Sequence, residues 1–336
     1  MVRGLAPFVH AFAWPLLIAG APGRNEDIGI ACGRAPHVAD GSSMLQLQRA
    51  RGEAGSGESR DDRRPPSGGS DLDLSILLDE HSEACHTVYL TNVFTTRPDP
   101  QGKRKGVPDF TYFERYYRSI LSLPTGRASA VILYDSLPED LVRNYSTGDD
   151  VLSFRKVDIS KLDPLMGLND LRFLVFEEEV KKHPEWSTIF MTDIRDVLAI
   201  HNPCMFVKRH PEKIFVGSQP NSLKPYWVAA KQFGRAGGKY LAWYTAQPDD
   251  AVPELNAGLI GGRRPVVLKV LSKIIEVLLD PETTGRKERT NVTINMPAVN
   301  YGIYTNFGMK MIVTGRPLHS EFRGYENRTD VYFWHK

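Results

Sequence analysis

From residue 87 onward the chain alternates between two hydrophobic rhythms. Residues 87–94 (Thr-Val-Tyr-Leu-Thr-Asn-Val-Phe), 128–134 and 151–157 are short apolar runs rich in branched side chains, the pattern of strands covered on both faces. Between them apolar positions recur at helical spacing: Phe113, Tyr116, Tyr117, Ile120 and Leu121 predict a helix over 110–123. A short helix is expected over 138–144. A longer one is expected over 169–183, capped by Asn169 or Asp170 and stopped by Pro184. Strands follow at 188–191 and 213–216. Such alternation predicts an α/β fold, a mainly parallel sheet with helices on both faces. The second half is less regular. An extended aromatic and polar stretch over 240–253, suited to a binding loop, leads into a glycine-punctuated turn at 256–262. Helices over 265–279 and 293–304 and a late strand at 310–313 complete the pattern, without an internal repeat.

Composition divides the chain. Residues 22–80 hold almost none of the aromatic and β-branched side chains and can bury little, so 23–84 reads as a flexible stem or linker, rich in Gly, Ser, Arg and Asp over 41–70. Before it, Arg3 and the mostly apolar stretch 5–21 have the layout of a signal peptide or short signal-anchor spanning 1–22, the second of which would anchor the chain in a membrane. Three Asn-x-Ser/Thr tripeptides, beginning at Asn144, Asn291 and Asn327, agree with entry into the secretory pathway. The remaining 85–336 is the size of one α/β domain. A net charge of +2 gives no reason to expect nucleic acid as a partner. Three cysteines are too few for a disulfide framework; a Cys85–Cys204 bridge stays open, but the odd count lends it no support.

The densest chemistry lies at 189–197, Ile-Phe-Met-Thr-Asp-Ile-Arg-Asp-Val. A buried strand here delivers Asp193 and Asp196 to its carboxyl tip, with Arg195 beside the second. Ligands of open α/β sheets bind just outside such strand ends, and two carboxylates there suit a divalent cation. Capping of the next helix or a structural ion pair with Arg195 would use the same residues. A dehalogenase-type phosphatase would need an acid two residues after the first Asp, where Arg195 stands. About 60 residues later, 255–262 reads Leu-Asn-Ala-Gly-Leu-Ile-Gly-Gly, whose small residues let backbone N–H groups approach a ligand. No phosphate-binding P-loop pattern is present.

Together, Thr-Asp-Ile-Arg-Asp-Val and Asn-Ala-Gly-Leu-Ile-Gly-Gly resemble the nucleotide-diphospho-sugar glycosyltransferases of the GT-A fold, in the subgroup that writes its acidic motif Asp-x-Arg-Asp-Val. Asn169-Asp170-Leu171-Arg172, the first strand with Thr91 and Asn92 at its tip, and the trailing His335-Lys336 extend the likeness across 87–336. The resemblance implies a GT-A-like, Rossmann-like single catalytic domain that moves a sugar from a nucleotide-diphosphate donor to a hydroxyl of a glycan, protein or lipid. It implies that Asp193 approaches ribose or sugar hydroxyls and that Asp196 ligates Mn²⁺ or Mg²⁺. Asp193 and His335 are counted with Asp196 in the metal set. Lys336 would neutralise phosphate; Asn256, Ala257 and Gly258 would line the sugar and acceptor side. Thr91 and Asn92 would face the base, and Arg172 the sugar or diphosphate. Asp193, Arg195, Asp196 and Asn256 make up the expected catalytic group. Arg195 departs from the plain Asp-x-Asp pattern, so either Asp196 takes the metal at shifted spacing or the guanidinium replaces the cation. The resemblance further implies a lumenal, Golgi setting in the secretory pathway, and many enzymes of this type form homodimers. Two other classes share these features: a metal-dependent nucleotidyl or phosphate-ester enzyme, and a non-catalytic nucleotide-sugar binder.

Overall fold

Along strand β1 (Thr87–Val93), Val88 and Leu90 face one hydrophobic cluster while Tyr89 and Val93 face another, and all four are essentially inaccessible to solvent. The same split recurs in β2 (Ala128–Tyr134), where Val131 and Leu133 oppose Ala130 and Ile132. A strand covered on both sides has no polar face, which is why these segments read as continuous apolar runs.

The structure, a computed structural model, describes residues 85–97, 111, 113–124, 126–148, 151–224, 227–249, 251–284, 293–322 and 328–335. The expected leader and stem, Asn291, Asn327 and Lys336 lie outside them. The first two strands are separated by α1 (Glu114–Leu121) and followed by α2 (Glu139–Tyr145), β3 (Leu152–Lys156), α3 (Leu168–Lys182), β4 (Thr188–Thr192) and β5 (Val197–Ala199). Next come α4 (Cys204–Arg209), β6 (Ile214–Ser222), α5 (Trp227–Ala236), α6 (Gly238–Ala246) and β7 (Pro253–Arg263). The chain continues through α7 (Arg264–Leu278), α8 (Pro281–Thr284), α9 (Asn295–Asn306), β8 (Ile312–Val313) and β9 (Phe333–His335).

Seven strands form one sheet in the order β3-β2-β1-β4-β7-β6-β8, and β5 pairs with β9 in a separate ribbon. Only β7 runs against the others, antiparallel to both β4 and β6. The architecture is therefore α/β with a mostly parallel mixed sheet, as the alternating pattern predicts. Helices α3, α7 and α9 pack on one face, and α1, α4 and the β5–β9 ribbon contribute to the other cluster.

Three expectations are corrected. Residues 256–262 do not turn: they lie inside β7, where 260–262 pair with both β4 and β6. The glycines serve contact there, since a Cβ on Gly261 would stand 2.3 Å from the Phe190 ring. The stretch over 240–253 is not an extended loop, because α6 occupies its first half and buries Tyr240 and Tyr244. Neither Asn169 nor Asp170 caps α3, whose N-cap position is Gly167. Asp170 instead reaches across to Thr293 Oγ1 and to the Ile294 N–H, anchoring the entry to α9. Cys85 and Cys204 are joined by a disulfide that ties the start of β1 to the start of α4. No helix among the described residues is long and apolar enough to cross a membrane.

Candidate functional site

Because β7 is reversed, its first half lies beside the carboxyl end of β4. Register pairs Thr192 with Leu259, and the Asp193 N–H then donates to the Gly258 carbonyl at 2.8 Å. The chain turns immediately, with the Asp193 carbonyl accepting the N–H groups of Asp196 (3.3 Å) and Val197 (3.1 Å). Ile194 is buried under this turn, while Arg195 and Asp196 are exposed. The apolar residue thus fixes the turn and leaves the charged pair outward.

Opposite the turn, β7 departs from regular pairing with β6. Val216 pairs with Ile260 and Gly217 with Asn256, so residues 257–259 bulge out of that ladder. A bulge re-aims the backbone at its position. Here the Gly258 N–H donates to the Asn256 side-chain carbonyl at 2.7 Å, and a Cβ on Gly258 would meet Asp193 Oδ2 at 2.8 Å. Asn300 of α9 holds the neighbouring Leu255 by both backbone groups, at 2.8 and 2.9 Å. Sequence reasoning missed Asn300, since an Asn inside a predicted helix gives no sign of a strand beneath it.

Arg172, on the first turns of α3, reaches this junction from within the core. One terminal nitrogen bonds Asp193 Oδ1 and the other donates to the Ala257 carbonyl at 2.9 Å. Thr91 is fully buried, and its hydroxyl donates to the Thr192 carbonyl at 2.7 Å, so it braces the β4 tip and does not present its hydroxyl to a base. Asn92, next along β1, is half-buried. Tyr116 meets the Thr192 hydroxyl at 3.1 Å.

The β5–β9 ribbon brings in His335. Its register partner is Val197, the residue after Asp196. The imidazole is buried against Gly217, where an added Cβ would stand 2.8 Å from its Cε1, and neither ring nitrogen has a partner in the structure. Burial, with His319 close by, holds its pKa well below the ordinary histidine value. His319 differs: its Nε2 accepts the N–H groups of Ser218 and Gly315, and its Nδ1 faces the Ser320 carbonyl at 2.6 Å, which selects the Nδ1–H tautomer. Burial lowers its pKa to about 4.

The structure therefore brings Asp193, Asp196, Asn256, Ala257, Gly258, Arg172 and the His335 strand to one end of the sheet. Thr91 stands behind that end rather than in it. Among the described residues no three His, Cys, Asp or Glu side chains are gathered to hold a metal ion. One further acid lies near this end: Glu254, two residues before Asn256 on β7, is buried with an unpartnered Oε2, and desolvation raises its pKa to about 8. No family model matches the chain, and no curated protein matches it either.

Proposed function

We propose that the chain is a glycosyltransferase that moves a sugar from a nucleotide-diphosphate donor to a hydroxyl acceptor. The observation that carries this reading is the meeting of the Asp193–Asp196 turn, the 257–259 bulge and the His335 strand at the carboxyl end of β4. Strand ends of this kind are where α/β sheets bind ligands. The motif resemblance supplies the donor class, and the α/β sheet is compatible with a GT-A-like domain.

A nucleoside diphosphate leaves readily only when its developing charge is neutralised. Asp196 and His335 carry carboxylate and imidazole, donors that Mn²⁺ takes, and both ring nitrogens of His335 are buried without a partner in the structure. Divalent ions at phosphate sites commonly use one or two protein ligands and fill the rest from phosphate oxygens and water. We assign the holding role to Asp196 and His335. When bound, Mn²⁺ or Mg²⁺ would supply charge stabilisation to the departing diphosphate. Arg195, exposed beside Asp196, is placed to add positive charge at the same mouth. Asn256 and Gly258 shape the opposite wall. The Cys85–Cys204 bridge supports a lumenal, oxidising compartment, and exposed Asn144 is compatible with it.

Thermal-shift measurement against nucleoside diphosphates, with and without Mn²⁺, tests the reading. Stabilisation by a diphosphate that depends on Mn²⁺ and is lost in Asp196→Ala, with the variant's own melting temperature unchanged, is the expected result. No response to any nucleoside diphosphate would refute it. Stabilisation without turnover of any nucleotide sugar would identify a binder instead.

A further inference from the structure

Arg172 and Asp193 are unequally placed. The guanidinium side chain is 6 % exposed and the carboxylate 33 % exposed, so the acid lies between the base and solvent. A donor or cation arriving from outside meets Asp193 before it could reach Arg172. The polar contacts the structure shows for Arg172 are Asp193 Oδ1 and the Ala257 carbonyl; its Nε has no partner, and the guanidinium lies 5.1 Å from the Phe173 ring. Its two bonds join β4 to the β7 bulge, the junction already held by the Asp193 N–H to the Gly258 carbonyl. A guanidinium keeps its charge even when buried, so leaving it without a counter-ion is costly, and Asp193 is the carboxylate that meets it.

We propose that Arg172 is a positioning residue: it fixes Asp193 and the Ala257 carbonyl in one geometry and neutralises Asp193, withdrawing that carboxylate from cation binding. The proposal deepens the donor-site reading and rests on it only for the identity of the ligand. It revises two expectations, that Arg172 contacts sugar or diphosphate and that Asp193 is a metal ligand. The division of labour follows from charge. With Arg172 in place the Asp193–Arg172 unit is neutral, and attraction for a dication is left to Asp196 and its surroundings. Removing only the arginine exposes a carboxylate aimed into the same mouth.

Mn²⁺ alone, titrated into the full chain and followed by electron paramagnetic resonance, tests this without any turnover. Arg172→Met should bind Mn²⁺ on the order of tenfold more tightly than wild type, the effect of freeing one unit charge near a dication. Arg172→Lys, which keeps the charge, should restore wild-type Mn²⁺ affinity. Asp193→Asn leaves the arginine uncompensated and should weaken Mn²⁺ binding, and Arg172→Met/Asp193→Asn should recover it to within about threefold of wild type. Because the double variant removes both buried charges, it keeps the test alive if Arg172→Met does not fold. The proposal is overturned if Arg172→Met leaves Mn²⁺ affinity unchanged while weakening nucleoside-diphosphate binding. It is equally overturned if the double variant stays tenfold or more weaker than wild type, which would make Asp193 a ligand. A wild type that answers to no nucleoside diphosphate would sink the transferase reading, yet leave the Mn²⁺ comparison to decide this one.

Discussion

Glu254 shows how much one side chain can reveal about its surroundings. It is 1 % exposed, lacks a basic partner in the contacts shown, and desolvation holds its carboxyl at about 8 instead of the ordinary 4.5. The folded chain therefore keeps a proton that the unfolded chain releases near 4.5. Folding stability falls as pH rises through that window, and the loss is complete above about pH 8. Glu254→Gln is neutral throughout. The stability gained by the variant should be smallest near pH 4.5 and grow to roughly 3–5 kcal/mol by pH 9. Urea unfolding at pH 5, 7 and 9 measures it; a difference that stays flat would mean the native carboxyl is ionised and has found a partner. Sequence alone placed Glu254 close to the Asn-Ala-Gly run but could not show its burial, which depends on how α9 and β6 cover that end of β7.

At the scale of elements, legibility followed the number of covered faces. Strands β1, β2 and β4 are buried on both sides and announce themselves as apolar runs. Strand β7 was misread because its small residues make room for neighbours: Gly261 lies under Phe190 and Gly258 beside Asp193. Glycine reads locally as a turn, and only tertiary contact reveals the other use. Helix α6 was misread for a related reason. Its aromatic residues pack on two other helices, Tyr244 stacked on Phe233 of the preceding α5 and Tyr240 against Tyr301 of α9, more than 50 residues on. The two acidic residues at the β4 tip were legible from their motif, whereas the inward role of Arg172 was not, since direction of approach is invisible in a string of letters. The ribbon of β5 and β9 was also unforeseen, and Gly217 limits it. An added methyl would crowd both Cε1 (2.8 Å) and Nδ1 (2.9 Å) of His335. Gly217→Ala should cost about 1–3 kcal/mol and reduce amide exchange protection at Val197 and His335. Unchanged protection would show that the ring can rotate away freely.

At the scale of the whole molecule, the Cys85–Cys204 bridge spans a sequence separation of 119 residues and encloses β1 to β5 with helices α1 to α3. Closing so long a loop restricts the unfolded chain strongly. Cys85→Ser/Cys204→Ser is expected to lower stability by about 2–5 kcal/mol, readable as a lower urea midpoint; reductant added to the wild type should reproduce the shift, and equal midpoints would mean the bridge is not formed. The sheet order has a consequence of another kind. Strand β4 is zipped between β1 and β7, so Thr188 pairs with Thr87 on one side and Arg263 on the other. Contacts so remote along the chain make for slow assembly, and the acidic tip gains its surroundings only when three separate stretches have met. Recovery of ligand response after dilution from denaturant should consequently lag behind recovery of helical signal, making the tip a late reporter of refolding.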